Sequence, residues 1–128
     1  GTFRFKVGPK KVGLGGKQLK YVARPYYAPK LEEDKVVSQI ANINMGVNRG
    51  VIYMVLEAII SEFRHFLFQG HPVKLAGLGT FRVSFGSEAK DSPEGFTEAD
   101  IKNLRILFTP DINLRRELLS ELRFEEIK

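Results

Sequence analysis

The chain has no cysteine, which excludes disulfides and thiolate metal sites. Its two histidines, His65 and His71, are too few for a histidine-based metal site unless carboxylates join them. One stretch is long and apolar, but Glu57, Ser61, Glu62, Arg64 and His65 interrupt it, so it is not a membrane span. Acids are missing from residues 1–30, which hold Arg4, Lys6, Lys10, Lys11, Lys17, Lys20, Arg24 and Lys30 without one Asp or Glu. Residues 31–128 are acidic on balance, so the net charge of +5 reports on the N-terminal segment and not on the whole surface. A basic segment suits an anionic partner, although solubility alone also explains it. No signal peptide opens the chain; Gly1 in place of Met fits a trimmed start, so a lost leader stays open and the cytoplasm is the expected compartment.

What is present argues for folding. Ten Phe, four Tyr and 43% apolar residues in 128 suit one domain with a modest core. Thr2–Val7 alternates Phe3, Phe5 and Val7 against Arg4 and Lys6, a half-buried strand. Gly8–Lys17 reads as a loop, and Leu19–Ala23 as a second strand closing a hairpin. The loop fails the P-loop test: no Gly stands five before Gly16, and Gln18 follows Lys17 where Ser or Thr is needed. Arg24–Pro29 reads as an extended connector, because each proline biases its predecessor away from helix.

Glu32–Asn42 reads as a short helix with acids in its first turn and an apolar stripe of Val36, Val37, Ile40 and Ala41. Asn44-Met45-Gly46 breaks it, and Asn48 is placed to cap the next helix, Arg49–Gln69, which Gly70 stops. That second helix is apolar nearly all round, so it must be buried nearly all round. A second copy of the chain meets that need in a two-fold interface; a single well-covered core helix is the other reading.

Val73–Ala76, Thr80–Phe85 and Leu104–Thr109 read as three strands. Alternation puts Val73, Leu75, Phe81, Val83, Phe85, Leu104, Ile106 and Phe108 on the core side. Lys74, Thr80, Arg82, Ser84, Arg105, Leu107 and Thr109 then face out. Such a positive, hydroxyl-bearing face suits phosphate contacts, and an ordinary solvated strand face is the plainer reading. Between the strands, Gly86–Lys102 is polar with Pro93 and Gly95 at its centre. Thr97–Lys102 carries the signature of a helical turn capped by Thr97. A last helix follows Pro110-Asp111-Ile112-Asn113, with Leu114, Leu118, Leu119 and Leu122 inward.

Gly77-Leu78-Gly79-Thr80-Phe81, preceded by Gly70-His71-Pro72-Val73-Lys74-Leu75 and a long apolar helix, resembles the signature of the HU/IHF family of histone-like DNA-binding proteins. Phe108-Thr109-Pro110 followed by Leu114 resembles the family's closing strand and short helix. The resemblance covers Leu31 to Leu122, and the basic N-terminal segment points to a divergent HU-related branch. It implies an α+β fold with two N-terminal helices, a three-stranded antiparallel sheet with a β-arm and a C-terminal helix. To these the chain adds an N-terminal β-hairpin extension. Residues 1–30 would be that extension, and residues 31–128 the HU/IHF-like DNA-binding domain. It further implies an intertwined homodimer through the Arg49–Gln69 helix, gripping double-stranded DNA with little sequence preference by a saddle-shaped sheet and two arms. Carried over residue by residue, the DNA-binding candidates are Lys74, Thr80, Arg82, Ser84 and Arg105 on the sheet, with Lys90, Pro93 and Lys102 on the arm. Pro93 would be the wedge that kinks the duplex.

The arm departs from the family. Residues 82–105 hold Arg82, Lys90, Lys102 and Arg105 against Glu88, Asp91, Glu94, Glu98 and Asp100, and the tip is Asp91-Ser92-Pro93-Glu94-Gly95 instead of Arg-Asn-Pro. By its neighbours Pro93 reads as a turn proline. The expected function is an architectural, histone-like DNA-binding protein of the nucleoid. The alternative is a dimeric scaffolding protein that kept the fold and lost the DNA grip. No Ser-His-Asp spacing or metal cluster supports an enzyme, and no cofactor, membrane or small-molecule substrate is expected.

Overall fold

The computed structural model describes residues 1–43 and 46–128. In chain order the elements are β1 (Thr2–Val12), β2 (Gln18–Tyr26), α1 (Glu33–Ile43), α2 (Arg49–Phe68), β3 (Val73–Leu75), β4 (Gly79–Ser87), β5 (Ile101–Pro110), α3 (Ile112–Glu121) and β6 (Arg123–Glu126). Short 3-10 turns lie at Leu14–Gly16 and Glu98–Asp100. The fold is α+β, with three helices and two three-stranded sheets, ordered β2-β1-β6 and β3-β4-β5.

The chain forms two compact units, residues 1–36 with 116–128 and residues 37–115. In the first, β1 and β2 pair antiparallel from Arg4↔Tyr26 to Val12↔Gln18. This corrects the expected loop at Gly8–Lys17, because the strand runs straight through Gly8 and Pro9. A proline is tolerated there because the carbonyls of Gly1 and Phe5 face β6, accepting from Arg123 and Ile127. By alternation Pro9 faces the same way, beyond the last β1–β6 pair at Phe5↔Glu126, where its missing N–H breaks no ladder. The expected connector also begins as strand, with Arg24, Pro25 and Tyr26 all paired to β1. β6 was not anticipated. Four residues after the last helix pair parallel with Thr2–Phe5, at the opposite end of the sequence.

The second unit follows the expected plan. The Asn48 side chain accepts the Val51 N–H at 3.0 Å and caps α2. Gln69 ends the helix, and Gly70 takes the left-handed conformation at φ 84°. The expected break between the helices falls partly outside the described residues, at Asn44 and Met45. The Gly77-Leu78-Gly79 turn joins β3 to β4 at the pairs Leu75↔Gly79 and Lys74↔Thr80. Gly79 has φ 155°, and a Cβ there would meet the Thr109 carbonyl and lie 2.6 Å from the Phe108 ring. Only glycine fits, which is the physical reason for the second glycine of the motif.

Packing is sparse within one chain. Phe63 of α2 meets Phe81 edge-on at 5.8 Å between centroids, and Phe81 lies 4.8 Å from Phe108. Among the described residues only Val37 and Ile52 are buried hydrophobics. Leu104 and Ile106, expected on the core side, are 73% and 68% exposed. The faces alternate as expected, but one chain does not cover the apolar face.

Candidate nucleic-acid interface

Cross-strand partners in an antiparallel pair share a face. Lys74 pairs with Thr80, and Thr80 with Thr109. Arg82 pairs with Leu107, and Ser84 with Arg105. Register therefore puts Lys74, Thr80, Arg82, Ser84 and Arg105 on one side of the β3-β4-β5 sheet. Val73, Phe81, Val83, Ile106 and Phe108 lie on the other. The Arg82 guanidinium donates to Thr109 Oγ1 at 3.1 Å, and Arg105 donates to the Asn103 carbonyl at 3.1 Å. Neither arginine, nor Lys74, has an acidic partner among the described residues. The two arginine charges are held in place, and none of the three is neutralised, as suits a phosphate-binding surface.

A β-bulge extends this face. The register slips between the pairs Ser84↔Arg105 and Gly86↔Lys102, so Phe85 opposes both Asn103 and Leu104. Asn103 takes the extra place in the left-handed region at φ 57°. Asparagine is among the few side chains that tolerate that conformation. Simple alternation would set Lys102 beside Leu104 and Ile106 on the apolar face. The bulge turns it to the side of Ser84 and Arg105. Asn103 was not among the expected site residues, although the sequence carries a signal for the bulge: Lys102 falls at an apolar-side position in the alternation of Leu104, Ile106 and Phe108.

The excursion between β4 and β5 folds on itself. Lys90 Nζ lies 3.0 Å from Asp100 Oδ2, donates to the Gly95 carbonyl at 3.0 Å, and sits 5.0 Å over the Phe96 ring. The Thr97 N–H donates to Asp100 Oδ2 at 2.8 Å, closing the anticipated capping box. The Thr97 N–H first, and the Lys90 ammonium second, hold the Asp100 carboxyl below its ordinary value. Lys102 reaches Glu88 at 3.3 Å. Lys90 in the excursion and Lys102 at the start of β5 are thus paired with acids, whereas Lys74, Arg82 and Arg105 are not. Pro93 is exposed at its tip, and the Glu94 N–H after it donates to the Ser92 hydroxyl at 3.3 Å.

The remaining candidates place simply. His65 and His71 both lie against the Phe66 ring, at 5.8 and 6.1 Å between centroids. Among the described residues, no group of three or more His, Asp or Glu could hold a metal ion, and no helix is long and apolar enough to cross a membrane.

The family model for an HU domain fused to a wHTH, Ig or glycine-rich motif, HU-HIG, matches residues 2–126. The chain belongs to the HU-HIG family. The match takes in the N-terminal hairpin and β6 as well as the region from Leu31 to Leu122 that carries the sequence resemblance. Among solved structures, a Bacteroides vulgatus ATCC 8482 protein provisionally described as a bacterial DNA-binding protein has the same fold, with a TM-score of 0.70 at 15% identity. The alignment covers 98% of this chain and 48% of that one, so this HU-HIG chain spans about half the length of its structural relative. No curated protein matches the chain.

Proposed function

We propose that this HU-HIG chain is an architectural DNA-binding protein of the nucleoid, acting as a homodimer through the polar face of the β3-β4-β5 sheet. The observation that carries the proposal is the convergence of Lys74, Arg82 and Arg105 on one sheet face without an acid to neutralise them. Phosphate charge drives such binding, which makes it largely independent of sequence.

Burial supports the homodimer. On the apolar side of the β3-β4-β5 sheet, Val83, Leu104 and Ile106 stay exposed in a single chain. An open apolar groove of about 830 Å³ runs between α2 and the sheet, lined by Leu67, Phe68, Val83, Leu104 and Ile106 with Arg64 and Arg105 at its border. A second copy of the same chain supplies what would fill it. Within the dimer, residues 31–128 act as the HU-like module and residues 1–30 as its basic extension.

The test is fluorescence anisotropy with a short DNA duplex at several salt concentrations. Affinity should fall steeply with salt, and the slope should shrink by about two for each protomer in Arg82→Gln/Arg105→Gln, so by about four for the dimer, near 0.9 per phosphate contact removed. An unchanged slope in that variant rejects the sheet face as the grip.

A second reading rests on the excursion. Lys90 and Lys102 are engaged by Asp100 and Glu88, and residues 82–105 carry one more acid than base. An arm so neutralised fits a dimeric scaffolding protein. A stable dimer indifferent to duplex DNA even at low salt would put this reading first.

A further inference from the structure

We propose that the β1–β2 hairpin carries a second phosphate-binding surface, formed by Arg4, Lys6, Lys10, Lys20 and Arg24, which grips the backbone of duplex DNA by charge alone. The proposal rests on the reading of the chain as a DNA-binding protein, but on a separate set of residues.

Register makes the surface. Lys6 stands directly opposite Arg24, and Lys10 directly opposite Lys20. Arg4 stands opposite Tyr26, its guanidinium 5.6 Å over the ring. Partners share a face and alternate residues along a strand share a face, so all five cations lie on one side of the hairpin. All five are exposed. None is in an ion pair among the described residues. The β1–β2 segment contains no acid at all, and Glu125 of β6, beside Arg4, is the single acid that register adds.

Like charges directly opposite one another destabilise a strand pair. Here two such pairs stand in succession in a two-stranded stretch, with neither relieved by a carboxylate. A hairpin selected for stability alone would place an acid across from at least one of them. The arrangement becomes favourable when a polyanion lies along it. From Arg4 to Lys10 the strip is about 20 Å long at ~3.4 Å per residue. Measured along the duplex axis, that length spans about six phosphates of one strand at 3.4 Å rise. Gly8 and Val22, which pair in the middle of the strip, offer no large apolar side chain to enter a bilayer. The chemistry therefore favours a nucleic-acid backbone over an anionic membrane surface.

The test uses the full chain with Lys6→Gln/Lys10→Gln/Lys20→Gln/Arg24→Gln beside Arg82→Gln/Arg105→Gln. Both are titrated against one fluorescent duplex between 50 and 200 mM salt. For each hairpin engaged on the duplex, the variant should lose about three to four from the slope of log affinity against log salt, so with one hairpin engaged its affinity should fall on the order of a hundred-fold less than the parent's across that range. Its melting temperature should rise by about 2–5 °C, because the opposed like charges are gone. A substitution that merely damaged the fold would lower it. Lys6→Arg/Lys10→Arg/Lys20→Arg should bind as the parent does.

An unchanged slope in the hairpin variant overturns the second surface and leaves the sheet face standing. A lost slope there with no change in the sheet variant supports the hairpin and rejects the sheet. No binding by the parent chain rejects both. Binding to phosphatidylglycerol vesicles that the hairpin variant loses, with duplex binding unchanged, overturns the proposal in favour of a membrane surface.

Discussion

Gly79 shows how one residue fixes a strand junction. Its missing Cβ lets the Thr109 carbonyl and the Phe108 ring close over the turn. Gly79→Ala should cost about 2 kcal/mol or more in urea unfolding, because neither backbone nor a packed ring can move aside cheaply. A cost below a few tenths would show that the turn relaxes freely. Asp100 makes a second residue-scale prediction. The Thr97 N–H and Lys90 both favour its ionised form, so its folded-state pKa is depressed. The stability it lends the excursion is present in full above the ordinary carboxylate value and is lost only as pH falls through the depressed one. Carboxyl NMR should give a midpoint below 3.8, with Thr97 amide protection vanishing over the same interval. A midpoint at or above the ordinary value would remove the capping interaction.

Among the elements, the bulge in β5 does most to set the make-up of the candidate face. It inserts Asn103 at φ 57° and so decides which side of the sheet Lys102 joins. Asn103→Val places a β-branched residue in a left-handed conformation, which should destabilise by about 1–2 kcal/mol. Asn103→Gly should be tolerated. Thermal unfolding of the two variants checks this; equal losses would mean that the positive φ is not what the position needs. The helices were legible because their signals are local. The acids at the start of α1, Asn48 before α2 and Gly70 after it are capping chemistry written within a few residues. The strand through Gly8 and Pro9 was not legible. Local composition argues for a loop there, and only the partner strand, together with the end of β6 at Glu126, makes a proline acceptable.

For the whole molecule, the deciding quantity is exposed apolar area. Ile106 is 68% exposed in the single chain, so Ile106→Glu would be nearly harmless to a monomer. In the proposed dimer the new carboxylate would enter the apolar groove and remain unpaired there, costing several kcal/mol. Light scattering should show the parent at twice the mass of one chain, and Ile106→Glu should dissociate or fail to fold at the same concentration. A parent that scatters as a single chain would reject the homodimer.

What the sequence determined by itself is what near neighbours decide: the periods of α1 and α2, their caps, the glycine turn into β4, and the alternation that sorted Lys74, Arg82 and Arg105 from the apolar side. The Gly-Leu-Gly-Thr-Phe motif extended that local reading to the family. Tertiary structure alone decided three things. It brought β6 to pair with β1 from the far end of the chain. It turned Lys102 across the sheet by one bulged residue. And it set Lys6 against Arg24 and Lys10 against Lys20. Each depends on register between strands, and the pairing of one strand with another is a non-local choice that a one-residue slip would reverse. The sequence listed the cations, and strand pairing decided which of them share a face.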